Sequence, residues 1–129
     1  MPVQYVIHTG YRLVVTTGEG RVTFDEVRAH QDRLLNDPDF NPEFCQLMDG
    51  TSVADFALSA NEIRRVVGRK LFSPMSRRAL VVTNKFMYGM ARMLSTYYEM
   101  SNVSSPMSIF HDRTSALKWL GIPEDSSLF

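Results

Sequence analysis

The chain holds one cysteine in 129 residues, Cys45, which excludes a disulfide within it. It has no surplus of either charge, with 14 Lys and Arg against 14 Asp and Glu. A dedicated nucleic-acid binder carries a strongly basic domain, so no nucleic-acid partner is expected. No apolar run approaches the roughly 18 residues needed to span a bilayer. The opening MPVQYVIHTGY lacks a basic region followed by a long apolar stretch, so no signal peptide is read there. An unpaired thiol without an export signal points to the reducing cytoplasm. Chemistry-bearing motifs are missing too. There is no Gly-x-Ser-x-Gly, no phosphate loop and no Gly-x-Gly-x-x-Gly. His8, His30 and His111 are too scattered for metal spacing, and Cys45 in an apolar run reads as an inert buried thiol. Asp37, Asp39, Asn41 and Glu43 mimic alternate calcium ligands, but prolines replace the required glycine and the late glutamate is absent. No metal and no cofactor is expected, and nothing argues for an enzyme.

One local absence is informative. Residues 63–98 contain no Asp or Glu, yet they hold Arg64, Arg65, Arg69, Lys70, Arg77, Arg78, Lys85 and Arg92. Such a span is either a solvated set of helix and loop positions or a face for an anionic partner or membrane surface.

What is present reads as one domain. Residues 4–9 and 11–17 are β-rich and flank Gly10, which suggests an antiparallel pair closed by Gly18-Glu-Gly20. Thr23-Phe-Asp-Glu26 is a capping box opening a helix to about residue 36. A Pro-containing loop follows, then a short apolar strand over residues 45–48. Ser59-Ala-Asn-Glu62 is a second capping box, and Ile63, Val66, Val67, Leu71 and Phe72 continue at helical spacing until Ser73-Pro74. Residues 79–83 form a strand of the kind buried on both faces. A helix over 86–100, a strand over 107–110 and a helix over 113–120 capped by Asp112 complete the chain. The domain is expected to occupy residues 1–122, with a polar tail over 123–129. The fold class is therefore α/β, in the order β-β-α-β-α-β-α-β-α, with a mixed sheet whose later strands are parallel.

Three stretches carry a family resemblance. They are Asp37-Pro-Asp-Phe-Asn-Pro-Glu-Phe44, Phe86-Met-Tyr-Gly-Met-Ala-Arg-Met93 and His111-Asp-Arg-Thr-Ser-Ala-Leu-Lys-Trp-Leu-Gly121. With the element order, they resemble the SpoIIAA-like (STAS-like) fold, and within it a group of small stand-alone bacterial proteins, mostly uncharacterised. The resemblance implies a fold and no agreed activity. In anti-sigma-factor antagonists of this fold, a strand ends in Asp and a loop leads to Asp-Ser-Ser-Gly, where a kinase phosphorylates a serine. Met48-Asp49 matches the strand end. Phe56-Ala-Leu-Ser-Ala60 stands where the serine motif belongs, without its Asp or Gly. The resemblance therefore does not extend to the phosphoserine switch, and Ser59 followed by Glu62 reads as a plain helix cap.

Two candidate regions follow. Ligands of open α/β sheets bind beyond the carboxyl ends of parallel strands. Asp49, Thr51, Thr83, Asn84 and His111 fall there, with Ser59 nearby, unless Asp49 and Thr51 only satisfy a turn. The second region is the helix over 86–100. Phe86, Met90, Met93, Leu94 and Tyr97 share one face, and Met87, Ala91 and Tyr98 widen it to about half the circumference, with Arg92 on the polar side. A core takes up such an arc entirely, or leaves part of it for a partner or a ligand. The leading expectation is a non-enzymatic regulatory or protein-interaction module, with a homodimer as one form of it. Phe86, Met87, Met90, Arg92, Met93, Tyr97 and Tyr98 would supply its surface. The alternative is an apolar-ligand or lipid-binding protein with a Met/Tyr-lined cavity beside this helix. Its basic span would then face an anionic membrane, by analogy of fold with lipid-binding CRAL-TRIO domains. An enzyme built around Asp49 is a third reading.

Overall fold

The computed structural model describes residues 2–100 and 107–123, apart from the side chains of Phe86, Tyr98 and Glu99. Nearly all of the expected polar tail lies outside these residues. The chain runs β1 (Val3–His8), a single 3-10 turn (Thr9–Tyr11), β2 (Leu13–Thr23), α1 (Phe24–Leu35), β3 (Cys45–Ala57), α2 (Ala60–Val67), β4 (Arg78–Val81), α3 (Lys85–Met100), β5 (Met107–Phe110) and α4 (Arg113–Leu120). The strands stand side by side in chain order. β1 pairs antiparallel with β2, and the remaining pairs are parallel. This is the expected order and the expected mixed sheet.

The alternation of each strand explains the layers. Leu13 and Val15 of β2, Leu47 of β3, and Ala79 and Val81 of β4 face one side, where Ala116, Leu117 and Leu120 of α4 cover them. Val14, Val22, Val53 and Val82 face the other side, where α1, α2 and α3 pack. A short strand covered on both faces reads as a continuous apolar run, and β4 does. The caps are local. Glu62 N–H donates to Ser59 Oγ at 3.2 Å while Ser59 N–H donates to Glu62 Oε1 at 2.8 Å. Ser115 N–H donates to Asp112 Oδ1 at 2.7 Å, and Gly121 at φ +80° ends α4.

Most boundaries fall within two residues of expectation, and three differ by more. β2 does not stop at Gly18-Glu-Gly20 but bulges through it to Thr23. Gly18 lies so close to β3 that a Cβ there would sit 2.6 Å from Val53 Cγ2, and Gly20 takes φ +64°. β3 does not end at Met48. It continues to Ala57, because extended β2 gives it a ladder and Val53 and Phe56 pack inward. Asp49 is therefore mid-strand, although it is the last β3 residue paired to β4, opposite Val81. α2 stops at Gly68, and Leu71 and Phe72 follow as loop residues packed near Val14, Leu34 and Phe44.

Candidate functional site

The polar residues beyond the strand ends do not converge. Asp49 is buried, and both of its oxygens are engaged. Oδ1 accepts from Thr51 N–H at 2.9 Å and from the Thr51 hydroxyl at 2.6 Å. Oδ2 accepts from Arg113 Nε at 2.7 Å and Nη2 at 2.6 Å. Burial alone would raise the Asp49 pKa, but the two Thr51 bonds and Arg113 outweigh it and hold it below the ordinary value. The carboxylate thus ties β3 to the first turn of α4. Asn84 caps α3, its Oδ1 accepting from Met87 N–H at 2.7 Å. Thr83 is exposed, and the His111 ring stacks on Tyr88 at 5.3 Å between centroids. Ser59 is used by its cap. In the Asp37 loop, Asp37 Oδ1 and Asn41 Oδ1 accept from Asp39 and Glu43 N–H groups, as turn residues do. Among the described residues no group of three or more His, Cys, Asp or Glu is placed to hold a metal.

The basic span does not form one face. Arg69 pairs with Asp32 at 2.6 Å, and Arg65 lies over the Phe24 ring at 4.7 Å. Arg77 covers Trp119 of α4 at 5.4 Å, and Arg78 points to the interior. Arg64 lies over the Tyr97 ring at 5.3 Å, and Arg92 is exposed. Among the described residues no helix is long and apolar enough to cross a membrane.

The apolar arc of α3 divides. Met87 and Ala91 are buried against the sheet, so Met87 is not available to a partner. Met90, Met93, Leu94 and Tyr97 are half-buried and pack toward Ile63, Val66 and Val67 of α2. Met100 remains exposed at 76%. The side chains of Phe86 and Tyr98 lie outside those described.

Between the sheet and α1–α3 there is a partly open cavity of about 160 Å³. Val53 and Phe56 of the β3 extension, Leu80 of β4 with Val82 just beyond it, and Met87, Met90 and Leu94 of α3 form much of its wall. One strip of that wall is polar. Arg78 Nε donates to Gln46 Oε1 at 2.9 Å, and Gln46 Nε2 donates to Thr16 Oγ1 at 2.9 Å. Thr16 Oγ1 lies 3.1 Å from His30 Nε2. A guanidinium only donates, so the direction is set at Arg78, and the Thr16 hydroxyl can donate on to a neutral His30. Burial pushes the His30 pKa down to about 4, and the charges of Arg33 and Arg78 push the same way. Gln31 of α1 donates from Nε2 to Val66 O at 3.1 Å, joining α1 to α2 beside the same cavity.

Reasoning from sequence missed this strip. Its signal was a polar residue inside each apolar strand run, Thr16 after Val14-Val15 and Gln46 between Cys45 and Leu47, at the phase of inward-facing neighbours. The cavity lies beside α3 and takes Met87, Met90, Ala91 and Leu94 from it, but among the described residues no tyrosine lines it, so the expected Met/Tyr lining is not what the wall presents.

Comparison with known proteins adds the fold. No protein-family model matches the sequence, and no curated protein matches it. A solved structure does: an uncharacterised protein of the DUF3478 family from Shewanella loihica PV-4, described as having a SpoIIAA-like fold. It superposes with a TM-score of 0.56 at 17% identity, over 92% of this chain and 91% of that one. Element order, mixed sheet and superposition agree, and the chain has a SpoIIAA-like fold.

Proposed function

We propose that this protein is a binding module for a small apolar ligand held between the sheet and α1–α3. The cavity carries the reading. At about 160 Å³ it is comparable with an engineered apolar cavity of about 150 Å³ that binds benzene. Pockets for drug-sized ligands run to about 300–1,000 Å³, so the space suits a single ring or a short chain rather than a whole lipid. A mostly apolar wall with a few fixed polar groups is the usual make-up of such a site. Binding suits the polar strip better than catalysis does, because Arg78, Gln46, Thr16 and His30 are hydrogen-bonded along one chain.

The test is calorimetric titration with toluene. Binding by the wild-type chain is expected, with its loss in Ala91→Leu, which adds three carbons to the cavity wall. Amide shifts of Gly50, Val53 and Ala91 in the unaltered protein give the same answer without the variant. No heat and no shifts would overturn the reading.

A regulatory protein-interaction role, homodimer included, has narrower support in the exposed Met75 and Met100, at 83% and 76%. Analytical ultracentrifugation showing only monomer up to high concentration would remove the homodimer.

A further inference from the structure

We infer that the ligand carries a hydrogen-bond donor, such as a phenolic or alcoholic hydroxyl, and that Gln31 Oε1 receives it; this rests on the binding-module reading above. Three buried side-chain atoms have no hydrogen-bond partner among the described residues: Arg28 Nε, Arg69 Nη1 and Gln31 Oε1. Only Gln31 belongs to the cavity wall, and it is the only acceptor of the three. The residue is 7% exposed, so water outside the fold does not readily serve it.

Turning the amide over gives no relief. Gln31 Nε2 donates to Val66 O at 3.1 Å, and a flipped amide would set oxygen against oxygen. The acceptor is therefore fixed in place by the bond that joins α1 to α2. The neighbouring polar groups do not supply the missing donor. Arg78 Nε is directed to Gln46, and Gln46 Nε2 to Thr16. A buried acceptor left unmade carries its whole desolvation penalty. A single water needs about two to four polar partners to be well held, and in the polar strip Gln46 Oε1, Gln46 Nε2 and Thr16 Oγ1 are already bonded along the chain. A small apolar molecule with one hydroxyl meets both demands: its body fills the apolar wall and its O–H completes Gln31.

Calorimetric titration of the full chain with phenol, anisole and toluene tests this. Phenol has the donor, anisole has an oxygen without one, and toluene has neither. On the wild-type protein phenol is expected to bind about tenfold more tightly than anisole, the equivalent of one net hydrogen bond. In Gln31→Met the phenol-to-toluene ratio is expected to fall about tenfold while toluene binding persists. If toluene binds but phenol and anisole are equivalent on the wild type, the inference fails and the binding module stands. An unchanged ratio in Gln31→Met overturns the assignment to Gln31. If none of the three binds, the cavity holds only water, and both readings fall together.

Discussion

His30 sets the strongest pH dependence that the interior implies. It is 6% exposed, and its pKa is lowered from 6.5 to about 4. Desolvation is the main cause, helped by Arg33 and Arg78. The unfolded chain takes up a proton near pH 6.5, whereas the folded chain resists until about pH 4. Between those values the unfolded state binds more protons, so stability rises with pH and falls on acidification. Each pKa unit is worth about 1.4 kcal/mol, and the whole window amounts to roughly 3 kcal/mol, a large fraction of a small domain's stability. Urea unfolding followed by circular dichroism at half-unit steps from pH 7.5 to 4 measures this. His30→Gln keeps a hydrogen-bonding side chain without the titration, and is expected to flatten the curve across the window. Asp49, held below its ordinary value, titrates lower and leaves the window largely clear. A flat wild-type curve, or an equal slope in His30→Gln, would refute the reasoning.

Arg113→Met leaves the buried Asp49 carboxylate with only its Thr51 bonds, and a loss of about 2–3 kcal/mol is expected from denaturant unfolding at pH 7. That deficit is expected to shrink on acidification, because without Arg113 the buried carboxyl protonates more readily than in the wild type. Gly18→Ala sets a Cβ 2.6 Å from Val53 Cγ2 and is expected to cost about 1–3 kcal/mol, with partial recovery in the Gly18→Ala, Val53→Ala double variant. Additive losses in that cycle would show that the two residues do not meet.

Local signals were the legible ones. The bounds of β5 and α4 agree with expectation residue for residue, because Asp112 and Gly121 mark the helix chemically and the strand is short and apolar. The Ser59 cap was legible for the same reason. The long arms of β2 and β3 were not. Gly18, Gly20 and Gly50 look like turn residues in isolation, and only the pairing of strands far apart in sequence keeps them within β2 and β3. Asp49 looked like a strand end because Gly-Thr-Ser follows it, yet Gly50 continues the strand where it passes close to Val81 O. The polar strip needs register as well. Gln46 and Arg78 are direct cross-strand partners, and no spacing along the chain announces that. The breadth of the α3 arc was readable. How much of it α2 would take was not, since α2 ends at Gly68 rather than at Ser73.

The cavity wall has an uneven footing. Up to Asp49, β3 is flanked by β2 on one side and β4 on the other, but from Ser52 to Ala57 it has β2 alone. Val53 and Phe56, which wall the cavity, stand on that singly supported stretch. Segments held by fewer bonds open locally at less than the cost of global unfolding. In the proposed binding module, fit and dwell time would be governed by different parts of the molecule. The helices would shape how well a guest sits, and a two-strand seam would set how soon it leaves.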